Sequence, residues 1–487
     1  MTTATLSPSL LATLLALTTP ANPLSTPDDH LTIHPAPPGE PLSPLYTVTV
    51  NGQNCPVLVA RVAPADPQRR WQAMDDLENS HSHFDHAAFA SFDMAQPVDI
   101  TVSFPEPIRQ ARLLPSSLGL QPHINGHTLR FQLQQPAPVT IEINDRWVEA
   151  LHLFANPPEV DPPHPDDPNT LYFPPGRHLL HHRLIPDNST LYLAPGALLQ
   201  TTIADDEPFH LNPRTQRKNY QPALTLQGRN IRIRGRGILD GSACPTHARE
   251  LILVADSANI DIEGIILRDS PAWTLPIRRS RHVRVRNVKI IGYRANSDGI
   301  DICNSRDILI ENCFLRTLDD LIVVKTDKGD GPAQRIRVER CTLWNEVAHA
   351  LSIGAEIRDD IADVIFRDCD IIHDKGREWS LRIFHGDAAT VAGIRFEDIR
   401  VEDSQRLASL WIGQTLWSRD PQRGHIRDVS FSDIHATGNP LLIELVGFSP
   451  QHTIDGVSFC DVTLNGRPLQ PADIQKNQFV RRVRIQP

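Results

Sequence analysis

Three carboxylates fall in one short stretch: Asp298 in Asn296-Ser297-Asp298-Gly299, and the adjacent pair in Thr317-Leu318-Asp319-Asp320. Hydrolysis of a glycosidic bond asks for two unlike carboxyl groups. One stays protonated and donates to the leaving oxygen; the other stays ionised and activates water. Crowding supplies that difference, because like charges disfavour mutual ionisation, so a close Asp pair is a natural source of an acid. The pair carries a constraint. Neighbours in a regular strand point to opposite faces, so both reach one groove only at a turn or bulge. Otherwise one lies inside the fold, where an unpaired carboxylate is costly.

The 21-residue step from Asp298 to Asp319 is close to one period of a repeat that begins near residue 230. The unit is a run of alternating apolar residues, two polar residues and a small or apolar anchor. It reads Ile262-Glu263-Gly264-Ile265, Val285-Arg286-Asn287-Val288, Ile310-Glu311-Asn312-Cys313 and Val338-Glu339-Arg340-Cys341. It continues as Phe366-Arg367-Asp368-Cys369, Phe396-Glu397-Asp398-Ile399, Phe431-Ser432-Asp433-Ile434 and Phe459-Cys460-Asp461-Val462. The anchors are 23, 25, 28, 28, 30, 35 and 28 residues apart, which marks a stacked array. Short alternating strands broken by Asn, Asp and Gly turns predict an all-β chain built on a right-handed parallel β-helix. Leucine-rich repeats are excluded by the absence of their Leu and Asn pattern. Cys313, Cys341 and Cys369 then form an inward stack of small apolar side chains.

Counting from the anchors, Asp298 lies 10 residues past Val288, and Asp319 and Asp320 lie 6 and 7 past Cys313. His349 lies 8 past Cys341, and Arg382 lies 13 past Cys369. Four consecutive coils therefore place these residues on or near one face. Two coils separate Asp298 from His349 by roughly 10 Å, the scale of a sugar-binding cleft. Asp301, Asp307, Asp327 and Asp330 are expected to be turn residues, since such turns are rich in Asp and Asn.

Residues 45–156 read differently, as short strands separated by turn signals such as Asn51-Gly52 and Asn125-Gly126, which predicts a small antiparallel β-sandwich. The expected order is a leader over 1–44, possible disorder included, the sandwich over 45–156, a Pro- and Asp-rich linker over 157–169, and the β-helix over 170–487. The apolar run Leu10–Leu17 lacks a preceding Lys or Arg, so a short terminal helix or disordered leader is expected there. Were it a cleaved signal, the protein would be secreted or periplasmic; otherwise it would be cytoplasmic. A net charge of −10 argues against a nucleic-acid partner. No run reaches the roughly 18 apolar residues of a membrane span. Seven cysteines without a CxxC pair give no zinc signature, and the scheme needs no metal or cofactor. The sequence leaves the oligomeric state open.

At these residues the chain resembles the polygalacturonase family, glycoside hydrolase family 28, whose fold is a pectin-lyase-like β-helix. That family carries Asn-Thr-Asp, Asp-Asp, Gly-His-Gly and Arg-Ile-Lys motifs. Here they stand as Asn296-Ser297-Asp298, Asp319-Asp320, Ala348-His349-Ala350 and Arg382-Ile383-Phe384. The resemblance covers roughly 170–465 and extends to Gly237-Ile238-Leu239-Asp240-Gly241 and Ser270-Pro271-Ala272-Trp273. It implies inverting hydrolysis of a polysaccharide or oligosaccharide. Asp320 would be the general acid, Asp298 and Asp319 would activate water, His349 would support them, and Arg382 would hold the sugar. Phe384 replaces the lysine that grips a galacturonate carboxylate, and Glu356 adds negative charge. Unmodified polygalacturonate is therefore not the expected substrate; a neutral or differently charged glycan is. Lys325, Trp379 and His385 complete the candidate sugar-binding set, and Trp344, Trp411 and Trp417 either stack on sugar or cover the coil. More distantly, the layout is similar to the dextranase and isopullulanase family, glycoside hydrolase family 49, which acts on α-glucans. Two other readings stand beside hydrolysis: a polysaccharide lyase, and a non-catalytic carbohydrate-binding β-helix.

Overall fold

The structure, a computed structural model, describes residues 30–75, 82–213, 216–374 and 376–486. The run Leu10–Leu17 lies outside the described residues. From Thr170 onward the chain winds as a right-handed parallel β-helix whose strands form one continuous ladder of 29. The repeat in the sequence has a conformational cause. The residue before each anchor sits in the left-handed region: Asn287 at φ 53°, Asn312 at 55°, Arg340 at 54°, Asp368 at 51°, Asp398 at 51°, Asp433 at 55° and Asp461 at 51°. Asn and Asp tolerate that conformation better than other side-chain-bearing residues. Each such residue bends the chain and aims the next one inward. The anchors Ile265, Val288, Cys313, Cys341, Cys369, Ile399, Ile434 and Val462 are all buried. The three stacked cysteines are free and sit in this core, as expected.

Each central coil contributes three strands. One coil runs Leu275–Arg278, Arg281–Arg286 and Lys289–Ile291; the next runs Ile300–Cys303, Arg306–Glu311 and Phe314–Thr317. The first strand of each coil builds the sheet that carries the site. Its rungs pair Leu275 with Ile300, Ile300 with Ile322, Ile322 with Leu351 and Leu351 with Leu381. These five side chains point into the core, so the residues between them point out.

Ahead of the β-helix, two sheets of six and five strands enclose a second core. The sandwich differs from the expectation in three ways. The described part of segment 1–44 is structured: Leu31–Ile33 pairs antiparallel with Asp85–Met94, and the Ser43 N–H donates to the Val57 carbonyl at 2.8 Å. The sandwich is not wholly antiparallel, because Leu151–Asn156 pairs in parallel with Asp85–Met94. Side-chain alternation gives burial but not strand direction. Finally, a helix, Pro67–Asp75, follows the strand Leu58–Val62. Asp66 caps it by accepting the Arg69 N–H at 2.8 Å, and Pro67 sits at its first position.

The sandwich packs along the β-helix through a shared apolar layer that includes Phe89, Phe154, Phe314, Trp344 and Ile372. Buried ion pairs cross or border this layer, Arg236 with Asp93 at 2.9 Å and Arg316 with Glu346 at 2.9 Å, and His373 Nε2 is hydrogen-bonded with Glu142. Ala73 of the helix packs against Leu318 and Val347, which lie in turns leading into the groove sheet.

Candidate active site

Asp298, Asp320 and His349 each stand two residues ahead of a groove strand, before Ile300, Ile322 and Leu351. Because those strand starts are paired rung to rung, the three residues stack in one column. Backbone bonds fix the turns: the Gly299 N–H donates to the Asp320 carbonyl at 2.8 Å, and the Leu321 N–H to the His349 carbonyl at 2.9 Å. Gly299 is required there, since a Cβ would lie 2.3 Å from the Leu321 carbonyl oxygen. Asp319 escapes the alternation rule because it sits in the bend before the strand. Its Oδ1 accepts the N–H of Asp320 at 2.9 Å, and its Oδ2 accepts from Asn296 Nδ2 at 3.3 Å. One oxygen of each of Asp298, Asp319 and Asp320 lies within 4.8 Å of the others.

A lysine beneath offsets part of the cluster's charge. Lys325 points out of Ile322–Thr326 and donates from Nζ to Asp298 Oδ2 at 3.0 Å and to Asp301 Oδ1 at 2.8 Å. Asp320 Oδ2 is 3.9 Å away, and the Trp273 ring centroid 4.1 Å. His349 Nδ1 meets Asp320 Oδ1 at 2.6 Å, and its Nε2 faces Glu378 at 3.9 Å.

These contacts make the three carboxyls unlike. Burial pushes Asp319 well above the usual carboxylate range, and the charges of Asp298 and Asp320 push it further. Burial also raises Asp298; Lys325 opposes it, and the carboxyl settles at about 6. Burial would raise Asp320 too, but the charge and hydrogen bond of His349, with Lys325 nearby, hold it below the usual range. Burial disfavours charge on Lys325, yet Asp301, Asp298, Glu356 and Asp320 keep it firmly protonated. The direction at Asp320 is opposite to that of the acid role expected for it.

Downstream, Arg382 and Phe384 point out of Leu381–His385. The Arg382 guanidinium lies 4.3 Å from the Phe384 centroid and 3.4 Å from Glu378. Phe384 packs 5.1 Å from Trp411 and 6.4 Å from His349. Glu356 lies within the irregular register between Ile353 and Ile357, close enough to Lys325 to stabilise its charge.

The residues 226–477 match the family model for glycosyl hydrolases family 28. The chain belongs to that family. Among curated relatives of this family 28 chain, a Juniperus ashei polygalacturonase is 25% identical over 42% of this chain and 40% of its own length. A Chamaecyparis obtusa polygalacturonase is 23% identical over 51% of this chain and 48% of its own. The chain thus spans under half the length of both relatives. Among solved structures, Dex49A from Penicillium minioluteum superposes with a TM-score of 0.59 at 15% identity, covering 92% of this chain and 95% of that one. A hyperthermoactive exopolygalacturonase from Thermotoga maritima gives 0.52 at 19% identity, covering 65% and 84%. At these identities the likeness is one of fold.

In this family 28 chain the structure brings together Asp298, Asp319, Asp320, His349, Lys325, Arg382 and Phe384. It does not bring His385, which shares the inward parity of Leu381 and Ile383, is fully buried and bonds the Ala389 carbonyl at 2.7 Å. Burial lowers its pKa to about 4, which keeps it neutral. Trp379 is 4% exposed and Trp344 wholly buried, so neither offers a free ring face; Trp344 stacks on Trp147 of the sandwich. Sequence reasoning missed Glu378 altogether and took Asp301 for a turn residue. Asp301 lies within the strand Ile300–Cys303 as the second partner of Lys325. The outward parity shared by Asp301 and Lys325, each one residue past an inward Ile300 or Val324, was the signal available.

Proposed function

We propose that this chain hydrolyses glycosidic bonds, with Asp319 as the general acid and Asp320 with Asp298 activating the water. The carrying observation is the opposite displacement of two adjacent carboxyls, Asp319 upward and Asp320 downward. That is the division of labour an acid and a base need. It exchanges the roles that resemblance alone gives the pair. Water enters between Asp320 and the unpartnered Oδ1 of Asp298; the proton for the leaving oxygen comes from Asp319. Lys325 keeps Asp298 oriented and lowers the cost of its charge. Family membership and the fold support the reaction class.

The sugar unit facing Phe384 meets an aromatic surface instead of an ammonium, which supports a substrate without a carboxylate at that unit. A polysaccharide panel with product analysis tests the reading. Turnover that vanishes in Asp319→Asn supports it; an unsaturated, ultraviolet-absorbing product identifies a lyase and overturns it. The stereochemical course is proposed as inverting. A retaining course would release the other anomer first. The anomer released first, followed by NMR, decides between them.

A further inference from the structure

The second strands of the last coils start at Val391, Ile426, Ile454 and Val480, paired rung to rung. They build a face of the β-helix separate from the groove sheet. Ile394, Val429 and Val457 point into the core, so their successors Arg395, Ser430 and Ser458 point out, and Arg484 continues that column. Two short serines therefore lie between two long arginines. The strip beside them is also bare, because Gly393 and Gly456 hold left-handed positions at φ 66° and 79°. A Cβ on Gly456 would come 3.0 Å from Asp428 and 3.5 Å from Arg482, filling the floor between them. The result is an open trough of about 720 Å³, within the size range of ligand sites. From Arg395 to Arg484 it runs three rungs, roughly 14 Å along the axis.

Arg395, Arg427, Arg482 and Arg484 line this trough, against the carboxylates of Asp363 and Asp428. Two of the four are engaged. Arg395 lies 3.5 Å from Glu397 and 3.9 Å from Asp363, and Arg482 Nε donates to Asp455 at 2.6 Å. Arg427 and Arg484 are exposed, and neither has a carboxylate within 4.0 Å among the described residues. Further up the same sheet, arginines are met by acids of adjacent coils: Arg286 by Glu263 at 2.8 Å, Arg335 by Asp307 at 2.6 Å and Arg367 by Glu397 at 2.6 Å. Such pairs tie coil to coil. Arg427 and Arg484 tie nothing, and they stand where the surface is hollow. They also gather positive charge on a chain whose net charge is −10.

We propose that this trough is an accessory binding site for an acidic polysaccharide, separate from the groove in which bonds are cleaved. The arginines offer charge and planar donor forks to carboxylate or sulfate groups, and Ser430 and Ser458 offer hydroxyls to the sugar. Among the described residues the lining holds no aromatic ring. A single-stranded nucleic acid would use such rings for base stacking. The groove differs in just this respect, with Phe384 and Trp411 in contact. Tethering a polymer on the second face raises its effective concentration at the groove. Family membership supplies the polymer class, and none of the roles given to Asp298, Asp319 and Asp320 enters.

The test is affinity electrophoresis of the full-length chain through native gels containing polygalacturonate, chondroitin sulfate or dextran, with dissociation constants read from retardation against polymer concentration. The acidic polymers are expected to retard the chain, neutral dextran is not, and the retardation should fade as salt rises. The double substitution Arg427→Ser and Arg484→Ser should weaken binding about tenfold, the combined scale of two exposed charge contacts. Its melting temperature should be unchanged, because both side chains are exposed. Arg382→Ala, which alters the groove, should leave the retardation in place. An unchanged dissociation constant in the double variant, or retardation lost in Arg382→Ala, would overturn the accessory site. Equal retardation by dextran would do the same, and tighter binding to a single-stranded oligodeoxynucleotide would sink the choice of a glycan. No arm reads turnover, so a chain that cleaves no glycan would remove the proposed hydrolysis and leave the trough standing.

Discussion

Asp319 and Asp320 are chemically identical neighbours, and their surroundings alone make them different. Asp320 faces His349 at 2.6 Å, whereas Asp319 has Asn296 and a backbone N–H, neither of which carries charge. With Asp319 as the proposed proton donor, its loss should cost about 10²–10⁴-fold in kcat, so Asp319→Asn is expected to be nearly inactive at unchanged melting temperature. Full activity in that variant, by reducing-end assay, would remove Asp319 from the mechanism. The pH dependence follows with a definite sign. On the proposed roles the water-activating carboxylates must be ionised, so kcat/KM should rise as pH increases through about 6, where Asp298 titrates, and fall at higher pH as Asp319 loses its proton. His349→Gln removes the group that depresses Asp320, and should move the acidic limb to higher pH; an unmoved limb would exclude that electrostatic role. At this scale the sequence made the three aspartates, His349 and Arg382 legible because their offsets repeat. It could not separate acid from base, since that depends on partners brought in from other coils. It misjudged His385 because adjacent strand residues differ by a whole face of the sheet, and sequence proximity to Phe384 conceals that.

The repeating turn explains why these offsets survive coils of unequal length. An Asn, Asp or Arg at φ near 50° bends the chain and aims the following anchor into the core, so insertions elsewhere leave the site sheet in register. The β-helix was legible for the same reason: the left-handed turn requires a narrow set of residues, and the anchor must be apolar. The antiparallel expectation for the sandwich failed where burial on both faces hides direction, as in Leu151–Asn156. The helix Pro67–Asp75 was marked by Asp66 and Pro67, but it is short and amid β-rich sequence. Between coils, the tightest point near the carboxylates is Gly299. An added Cβ would meet backbone, at 2.3 Å from the Leu321 carbonyl, and Leu315 at 2.5 Å. Gly299→Ala should therefore force apart the rungs that carry Asp298 and Asp320. We expect a loss of about 1–3 kcal/mol in unfolding free energy, the range for overpacking, together with reduced kcat. Wild-type stability in chemical denaturation would show that the coils separate more freely than their packing implies.

At the scale of the whole molecule, the sandwich packs against the turns that carry Asp319 and His349. Its helix places Ala73, with no exposed surface, against Leu318 and Val347. Leu318 immediately precedes Asp319, and Val347 lies two residues before His349. Arg70 of the same helix reaches Glu346 at 3.8 Å, and Glu346 also holds Arg316 at 2.9 Å. A displacement of this helix would thus be felt at both the Asp319 turn and the His349 turn. Ala73→Leu tests the coupling, because it adds volume where none is free. Overpacking typically costs about 1–3 kcal/mol, so a lower melting temperature is expected whether or not the helix matters for catalysis. The discriminating measurement is kcat well below that temperature. If the helix sets the approach of Asp319 and His349 to the substrate, kcat falls while the variant is still fully folded by circular dichroism, since small misplacements of reacting groups are costly. If kcat is unchanged and only the melting temperature drops, the sandwich stabilises the β-helix without positioning its carboxylates.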